Sequence, residues 1–315
     1  TIAFFLHIPF PHFETFHRIP CRLDIVDALL SYNLIGFQTK IDMKNFLEVV
    51  ISLIDDAVID EKEEGLVTVV TYIGKCKVDV FHRSIDYDDF NNDAKSQEVS
   101  LKTKELKEGY SDQKIMLGID RLDYSKGIPE KFKAYRRLLE MNPSLHKKVK
   151  LIQVMVPSRE DIAKYSNLKS EIEELVGQIN GEFSQPGWIP IQYFYHSLCR
   201  VELLAYYRIS DIALVTPLKD GMNLVAKEYC ASNINQNGVL ILSEFAGAKY
   251  QLKDGALLVN PFDEDSIVNN IKQALSMESE EKKLRMEREE ILRVSLDVDL
   301  IAEATTLKRA EVDNR

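Results

Sequence analysis

Residues 115–139 read IMLGIDRLDYSKGIPEKFKAYRRLL, and this stretch decides the fold class. The apolar run Ile115–Ile119 is typical of a short strand that is buried on both faces. A polar turn follows, and Pro129 then stands where the first turn of a helix tolerates a proline. The apolar side chains that recur at helical spacing within the predicted helix Ile128–Leu139 are Phe132, Tyr135 and Leu139. A strand followed at once by an amphipathic helix is the building unit of an α/β protein.

The same alternation extends over the rest of the chain. Further strands are predicted at Ile2–Leu6, Leu34–Phe37, Leu66–Ile73, Val149–Val156, Ile191–Tyr195, Ile212–Val215, Val239–Leu242 and Ala256–Val259. Further helices are predicted at Asp42–Leu53 and Arg159–Ile179. Strands that alternate with helices form parallel sheets with helices on both faces, so we expect an α/β fold of the doubly wound, Rossmann-like kind.

The length of the chain predicts two domains, because 315 residues exceed what one compact core usually holds. The polar stretch Asp86–Ser100 has little to bury and is interpreted as a linker. We therefore place a first domain at residues 1–90, a second, nucleotide-binding domain at residues 91–290 and a charged helical tail at residues 291–315. The chain opens directly on a strand pattern, so we expect the first domain to be incomplete.

Charge and cysteine spacing exclude several classes of protein. The chain has 40 Lys and Arg against 50 Asp and Glu, a net charge of −10, whereas a nucleic-acid surface needs a basic face. No apolar run is long enough to cross a bilayer. The cysteines are widely spaced, at Cys21, Cys76, Cys199 and Cys230, which favours free thiols. We expect a cytoplasmic protein with no nucleic-acid or membrane partner.

The first segment that could carry chemistry is Asp120–Gly127, which lies between a predicted strand and a predicted helix. Ligands of open α/β sheets bind beyond the carboxyl ends of the strands, where this segment lies. Arg121 offers a planar fork of donors and Lys126 a point charge, and the two together suit a diphosphate. The alternative is that both are ordinary surface cations at a turn.

The second segment is Thr216–Glu228, which follows the predicted strand Ile212–Val215. Gly221 allows a tight turn, and a helix predicted to begin near Met222 would direct its free N–H groups at an anion. Glu228 could accept hydrogen bonds from ribose hydroxyls. The alternative is that Asp220 only caps the helix and that Glu228 is solvated.

Three further segments follow predicted strands. His7 ends the first strand and precedes two prolines, although a lone histidine is usually structural. Arg159 follows Val149–Val156 and could bind a phosphate or lie at the start of a helix. Glu244–Ala248, after the predicted strand Val239–Leu242, contains small residues that would allow close approach to a nucleotide. The histidines lack the spacing of a metal site, so no metal is expected.

The segments Phe5–Pro11, Arg121–Gly127 and Asp220–Glu228 resemble the trehalose-6-phosphate synthase family, glycosyltransferase family 20. Shorter matches in the same order are Ile35–Thr39, Arg159, Ile179–Gly181, Gly187-Trp188, Leu214–Pro217 and Ser243–Ala248. The resemblance implies the GT-B fold, in which two Rossmann-like domains face each other across a cleft. It also implies transfer of glucose from UDP-glucose to glucose 6-phosphate with retention, which makes trehalose 6-phosphate and needs neither a metal nor another cofactor.

The resemblance further implies a role for each motif residue. The expected catalytic residues are His7, Arg121, Lys126 and Asp220. The expected donor-binding residues are Arg121, Lys126, Leu198, Asp220, Gly221, Met222, Asn223, Leu224, Val225 and Glu228. Within this set, Arg121 and Lys126 would hold the diphosphate, Asp220 the sugar hydroxyls, Glu228 the ribose and the backbone near Leu198 the uracil. Arg159 would bind the acceptor phosphate.

Two departures from the family concern the acceptor. The family's long N-terminal stretch ahead of His7, which carries most acceptor contacts, has no counterpart in this sequence. The family's Phe-Pro-Ile-Gly-Ile-Asp becomes FHRSID at Phe81–Asp86. Other readings therefore stay open: a sister enzyme with an acceptor such as glycerol 3-phosphate, a non-catalytic UDP-sugar-binding regulatory subunit, or a pseudo-glycosyltransferase that couples a nucleotide cyclitol. Assembly as a homo-oligomer is also left open.

Overall fold

The computed structural model describes residues 2–61, 67–110, 112–159 and 162–289. The described residues divide into two compact units, residues 2–84 and residues 85–289. The sequence placed the domain boundary at residue 90, whereas the division lies between Ser84 and Ile85. The predicted tail, residues 291–315, lies outside the described residues.

The first unit contains a mixed sheet. Its elements are β1 (Ala3–Leu6), α1 (Phe13–Phe16), α2 (Arg22–Leu30), β2 (Leu34–Phe37), α3 (Lys40–Leu53), β3 (Val58–Glu61), β4 (Val67–Thr71) and β5 (Gly74–Val80). The strand order is β1-β2-β5-β4-β3, and β1, β2 and β5 run parallel while β3 and β4 are antiparallel to their neighbours. An aromatic cluster of Phe10, Phe37 and Phe46 lies in the core of this unit.

The second unit contains an all-parallel sheet with helices on both faces. Its strands are β6 (Lys114–Arg121), β7 (Val149–Val156), β8 (Ile191–Phe194), β9 (Ile212–Val215), β10 (Val239–Ser243) and β11 (Leu257–Val259). Its helices are α4 (Tyr87–Ala94), α5 (Gln97–Gly109), α6 (Ile128–Met141), α7 (Ala163–Phe183), α8 (Arg200–Ile209), α9 (Leu224–Ser232), α10 (Lys249–Leu252), α11 (Glu264–Ser276) and α12 (Ser279–Glu289). The strand order β11-β10-β9-β6-β7-β8 reverses direction at β6, as in doubly wound folds.

Successive residues of the central strands pack into the apolar layers on opposite faces of the sheet. Met116 and Ile212 pack against α6, α7 and α11, whereas Leu117 and Ala213 pack against α8 and α9. Strands buried on both faces must be apolar at every position, and this explains why continuous apolar runs located them. The predicted α/β class and the doubly wound parallel sheet are confirmed for this unit.

The predicted linker at Asp86–Ser100 is wrong, because the segment forms α4 and the start of α5. Two of the polar residues that indicated a loop are helix caps. The Asp86 carboxylate accepts a hydrogen bond from the Asp89 N–H at 3.0 Å, and the Ser96 hydroxyl accepts one from the Val99 N–H at 3.3 Å.

The sequence also missed β3 and the central strand β5. In β5, buried Cys76 and Val78 alternate with Lys and Asp, so no continuous apolar run marks it.

Candidate functional site

The loop that follows β6 packs directly against the loop that follows β9. Gly127 has the left-handed backbone angle φ 63°, and a Cβ atom at this position would lie 2.6 Å from the Thr216 carbonyl oxygen. Only glycine fits so close a backbone approach. The Leu218 N–H donates to the Ser125 carbonyl at 2.8 Å, which fixes the two loops together.

A third loop, after β10, completes the arrangement. The Gly247 N–H donates to the Asp220 carbonyl at 3.0 Å, and the Asp220 N–H donates to the Phe245 carbonyl at 3.2 Å. A Cβ atom on Gly247 would lie 2.0 Å from the Gly221 carbonyl oxygen, so the small residue is required here. The segments after β6, β9 and β10 thus form one edge of the parallel sheet, as their strand-end positions predicted.

The two longest motifs meet through an ion pair. Lys126 Nζ lies 2.6 Å from Asp220 Oδ2, and the Asn223 side-chain amide donates to the same oxygen at 3.1 Å. The Lys126 and Asp220 side chains are 14% and 15% exposed, so the ion pair is largely shielded from solvent. Arg121, at the end of β6, is exposed, and in the described part of the chain it makes no ion pair.

The helix after this turn begins two residues later than predicted. Asn223, with φ 79°, is the N-cap of α9, and its side-chain oxygen accepts from the Ala226 N–H at 3.2 Å. The first helical residues are Leu224 and Val225, and Gly221 and Met222 are buried in the turn before them. Asp220 is therefore free of the capping role and binds side chains instead, which removes one alternative for this residue.

Glu228 lies on α9, one turn after Leu224. Burial raises the pKa of its carboxyl group, while a hydrogen bond from Tyr207 acts in the opposite direction. The Tyr207 hydroxyl donates to Glu228 Oε2 at 2.8 Å. Glu228 is thus half-buried rather than fully solvated, contrary to the alternative considered for it.

The remaining predicted residues lie at other strand ends. In the second unit, Leu198 is half-buried between β8 and α8. Arg159 is exposed with φ 49°, and its guanidinium donates to the Tyr165 hydroxyl at 3.2 Å. The helix predicted to start at Arg159 begins at Ala163, so Arg159 lies in the loop after β7.

In the first unit, His7 is exposed at the end of β1. The Nδ1 atom of its ring lies 3.4 Å from a guanidinium nitrogen of Arg83. Arg83 belongs to the segment in which the sequence departs from the family pattern, and its N–H donates to the Gln38 side chain at 3.0 Å. The altered segment therefore brings a cation to the side of His7.

Comparison with known proteins identifies the family. The sequence model of glycosyltransferase family 20 matches residues 1–298. The chain belongs to glycosyltransferase family 20.

Curated relatives of this family 20 chain have one activity in their names. This chain is 43% identical over 281 residues to the UDP-forming α,α-trehalose-phosphate synthase A of Dictyostelium discoideum. The alignment covers 89% of this chain and 37% of that protein. This chain is 40% identical over 278 residues to a trehalose-6-phosphate synthase of Klebsiella pneumoniae, with 88% of this chain and 57% of that protein covered. The chain therefore spans roughly two fifths to three fifths of these relatives.

Solved structures agree with this membership. The synthase of Burkholderia xenovorans in complex with glucose-6-phosphate has a TM-score of 0.88 at 35% identity, covering 92% of this chain and 63% of that one. The Escherichia coli protein bound with UDP-2-fluoro glucose has a TM-score of 0.87 at 35% identity, covering 93% and 64%. The predicted GT-B fold class is confirmed by this similarity.

Sequence reasoning missed a buried polar cluster beneath the family 20 motif. Lys131 Nζ lies 2.6 Å from Asp120 Oδ2, and both side chains are almost fully buried. The Gln153 amide donates to the same carboxylate oxygen at 3.0 Å and accepts from Lys131 at 3.2 Å. Asp120 directly precedes Arg121, so this cluster anchors the end of β6. No local signal marks Lys131, which in the sequence is one of the two lysines of α6.

The described residues contain neither a candidate metal site nor a candidate membrane span. No group of three or more His, Cys, Asp or Glu side chains is placed to hold a metal ion there. None of the described helices has the length and apolarity that crossing a bilayer requires.

Proposed function

We propose that this chain forms the donor-binding part of a glycosyltransferase that transfers glucose from UDP-glucose to glucose 6-phosphate with retention, giving trehalose 6-phosphate. The contact between Lys126 and Asp220 carries the proposal, because it joins the diphosphate motif to the sugar motif at one strand edge. The names of the relatives support the choice of activity, and the structures with glucose-6-phosphate and UDP-2-fluoro glucose support the two substrate classes.

In the proposed reaction, each motif residue has a task. Arg121 has an open guanidinium for the diphosphate, and a bound diphosphate would be a second anionic partner for Lys126. Cations at the leaving group stabilise the charge that develops as the sugar–phosphate bond breaks. The N–H groups at the start of α9 add partial positive charge at the same edge.

Asp220 and Glu228 would bind hydroxyl groups of the glucose and of the ribose, respectively. Leu198 would meet the uracil, His7 would lie by the reacting sugar and Arg159 would bind the acceptor phosphate. In a front-face reaction the leaving phosphate takes the proton of the acceptor hydroxyl. We therefore propose that transfer needs no metal. We also propose that the protein is cytoplasmic.

The test is to mix the protein with UDP-glucose and a panel of acceptors and to measure the UDP released, with and without EDTA. The expected result is that UDP is released only when the acceptor is glucose 6-phosphate, and that EDTA does not change the rate of release. Release with glycerol 3-phosphate instead would identify a sister enzyme. Binding of UDP-glucose without release for any acceptor would contradict the proposal and favour a regulatory subunit.

A further inference from the structure

A buried tyrosine outside every recognised motif contacts the carboxylate that the proposed function assigns to ribose. Tyr207 on α8 is 1% exposed, and its hydroxyl donates to Glu228 Oε2 at 2.8 Å. Buried phenol hydroxyls are normally paired, often with backbone carbonyls. The neighbouring Tyr229 hydroxyl is paired in that way, with the Ser210 carbonyl. The Tyr207 hydroxyl is directed instead at a side chain of the candidate site.

The contact fixes one oxygen of Glu228 and leaves the other available. Oε2 accepts the Tyr207 hydrogen bond, whereas Oε1 has no hydrogen-bond partner among residues 2–61, 67–110, 112–159 and 162–289. Because Oε1 has no partner in these residues and is not fully buried, it is accessible to solvent. A carboxylate held by one oxygen presents the other in a defined direction, which a ligand hydroxyl can use.

The nearest cation does not perform this positioning. The Arg200 guanidinium donates to Asp93 at 3.1 Å and to Asp89 at 2.8 Å, and it lies 3.6 Å from the centre of the Phe90 ring. These contacts direct Arg200 towards α4. Its charge still favours the ionised form of Glu228, but the direct hydrogen bond comes from Tyr207.

We propose that Tyr207 is a positioning residue for the nucleotide donor, whose hydroxyl orients Glu228 so that Oε1 accepts a hydrogen bond from a ribose hydroxyl. The inference rests on the proposed function, which supplies a ribonucleoside diphosphate at this edge. It adds a residue on α8 to a site otherwise built from strand-end loops and α9.

The experiment measures calorimetric binding of UDP and of 2′,3′-dideoxy-UDP to the whole chain, to Tyr207→Phe and to Tyr206→Phe. Tyr206 is the matched control, because it is a buried tyrosine on the same helix whose hydroxyl pairs with Tyr110 rather than Glu228. Tyr207→Phe should weaken UDP binding about ten-fold, the equivalent of one hydrogen bond to a charged group, and leave dideoxy-UDP binding unchanged. Tyr206→Phe should leave both unchanged.

The outcomes separate this inference from the proposed function. Failure of the unaltered protein to bind UDP overturns the donor site, and the role of Tyr207 with it. UDP binding that Tyr207→Phe does not weaken overturns the positioning role alone, as does an equal loss for both nucleotides, since a structural defect would not distinguish ribose from dideoxyribose. In the Glu228→Gln background, Tyr207→Phe should cost no further affinity, and an undiminished loss there also contradicts the positioning role.

Discussion

Asp220 shows how a single side chain joins two motifs that lie 94 positions apart in the sequence. Its carboxylate accepts from both Lys126 and Asn223, so one oxygen is shared by two donors before any substrate is bound. Arg121 is the complementary case, since its guanidinium is exposed and makes no ion pair in the described ranges. At the residue scale, the candidate site therefore has one cation, Lys126, that is already paired with a carboxylate, and one, Arg121, whose charge is open to a ligand.

Arg121→Ala should lower the rate of UDP release by a factor of about one hundred or more, because charge stabilisation of the leaving group is lost. The fold should remain intact, since the side chain is exposed. Steady-state kinetics with UDP-glucose and the acceptor measure the loss, and a thermal melt checks the fold. Arg136→Ala is the control, because Arg136 is a surface residue paired with Glu140 and Glu182. Wild-type kinetics for Arg121→Ala would disprove the diphosphate role.

Lys131→Met should lower the free energy of unfolding by about 3–5 kcal/mol, because it leaves Asp120 as an unpaired buried charge. Urea denaturation measures the change. Lys133→Met, two positions along the same helix and exposed, should change it by less than about 0.5 kcal/mol. Adding Asp120→Asn to Lys131→Met should restore part of the loss. Equal effects of the two lysine variants would show that the buried pair contributes nothing.

Glu228 should make stability depend on pH. Burial raises its pKa from the ordinary value of 4.5, so the unfolded state ionises first as the pH rises. The stabilisation of the neutral form is complete below pH 4.5 and is lost as the pH rises through the folded-state pKa. Relative to Glu228→Gln, the protein should therefore be less stable at neutral than at acidic pH. Denaturation curves of both proteins at several pH values test this, and a difference independent of pH would contradict it.

At the scale of the elements, the site depends on turns that bring separate strands into contact. The turn between β6 and α6 ends in Gly127, which lies against the Thr216 backbone, and the turn before α9 lies against Gly247. Helices α9 and α11 begin with side-chain caps, Asn223 and Asp263 respectively. Because the loops interlock, a change in one turn is transmitted to the residues of the next.

Gly127→Ala should destabilise the protein by about 1–3 kcal/mol and weaken UDP binding, since φ 63° is strained for alanine and its Cβ would clash with the Thr216 carbonyl. Gly177→Ala is the matched contrast. Gly177 is exposed within α7 with no atom within 4 Å of an added Cβ, so the alanine should stabilise by about 0.5–1 kcal/mol. Thermal denaturation and UDP titration measure both variants, and similar effects of the two would contradict the argument.

At the scale of the whole molecule, the two units have separate cores. The first is centred on aromatic side chains, and the second has an apolar layer on each face of its parallel sheet. All of the proposed donor-binding residues, from Arg121 to Glu228, belong to the second unit, whereas His7 belongs to the first. Damage to one core should therefore be detectable separately from damage to the other.

Phe46→Ala should lower the stability of the first unit by about 3–5 kcal/mol, because Phe46 is fully buried against Phe10 and Phe37. Amide hydrogen exchange should become faster in β2 and β5 and remain nearly unchanged in β6 and β9. UDP binding should persist. Equal acceleration in both units would show that they unfold together and would contradict independent cores.

Much of the second unit could be predicted from the sequence, because its parallel strands are apolar on both faces and its site residues follow those strands directly. The sequence determined by itself the strand–helix alternation, the strand-end motifs and the family that they resemble. Only the tertiary structure decided that Asp86 and Ser96 cap helices, that β5 is central, that Asp220 pairs with Lys126, and that Lys131 and Tyr207 are buried beside the site. The physical reason is that local spacing encodes periodicity and turns, whereas burial and pairing depend on side chains that come together only when the sheet is assembled.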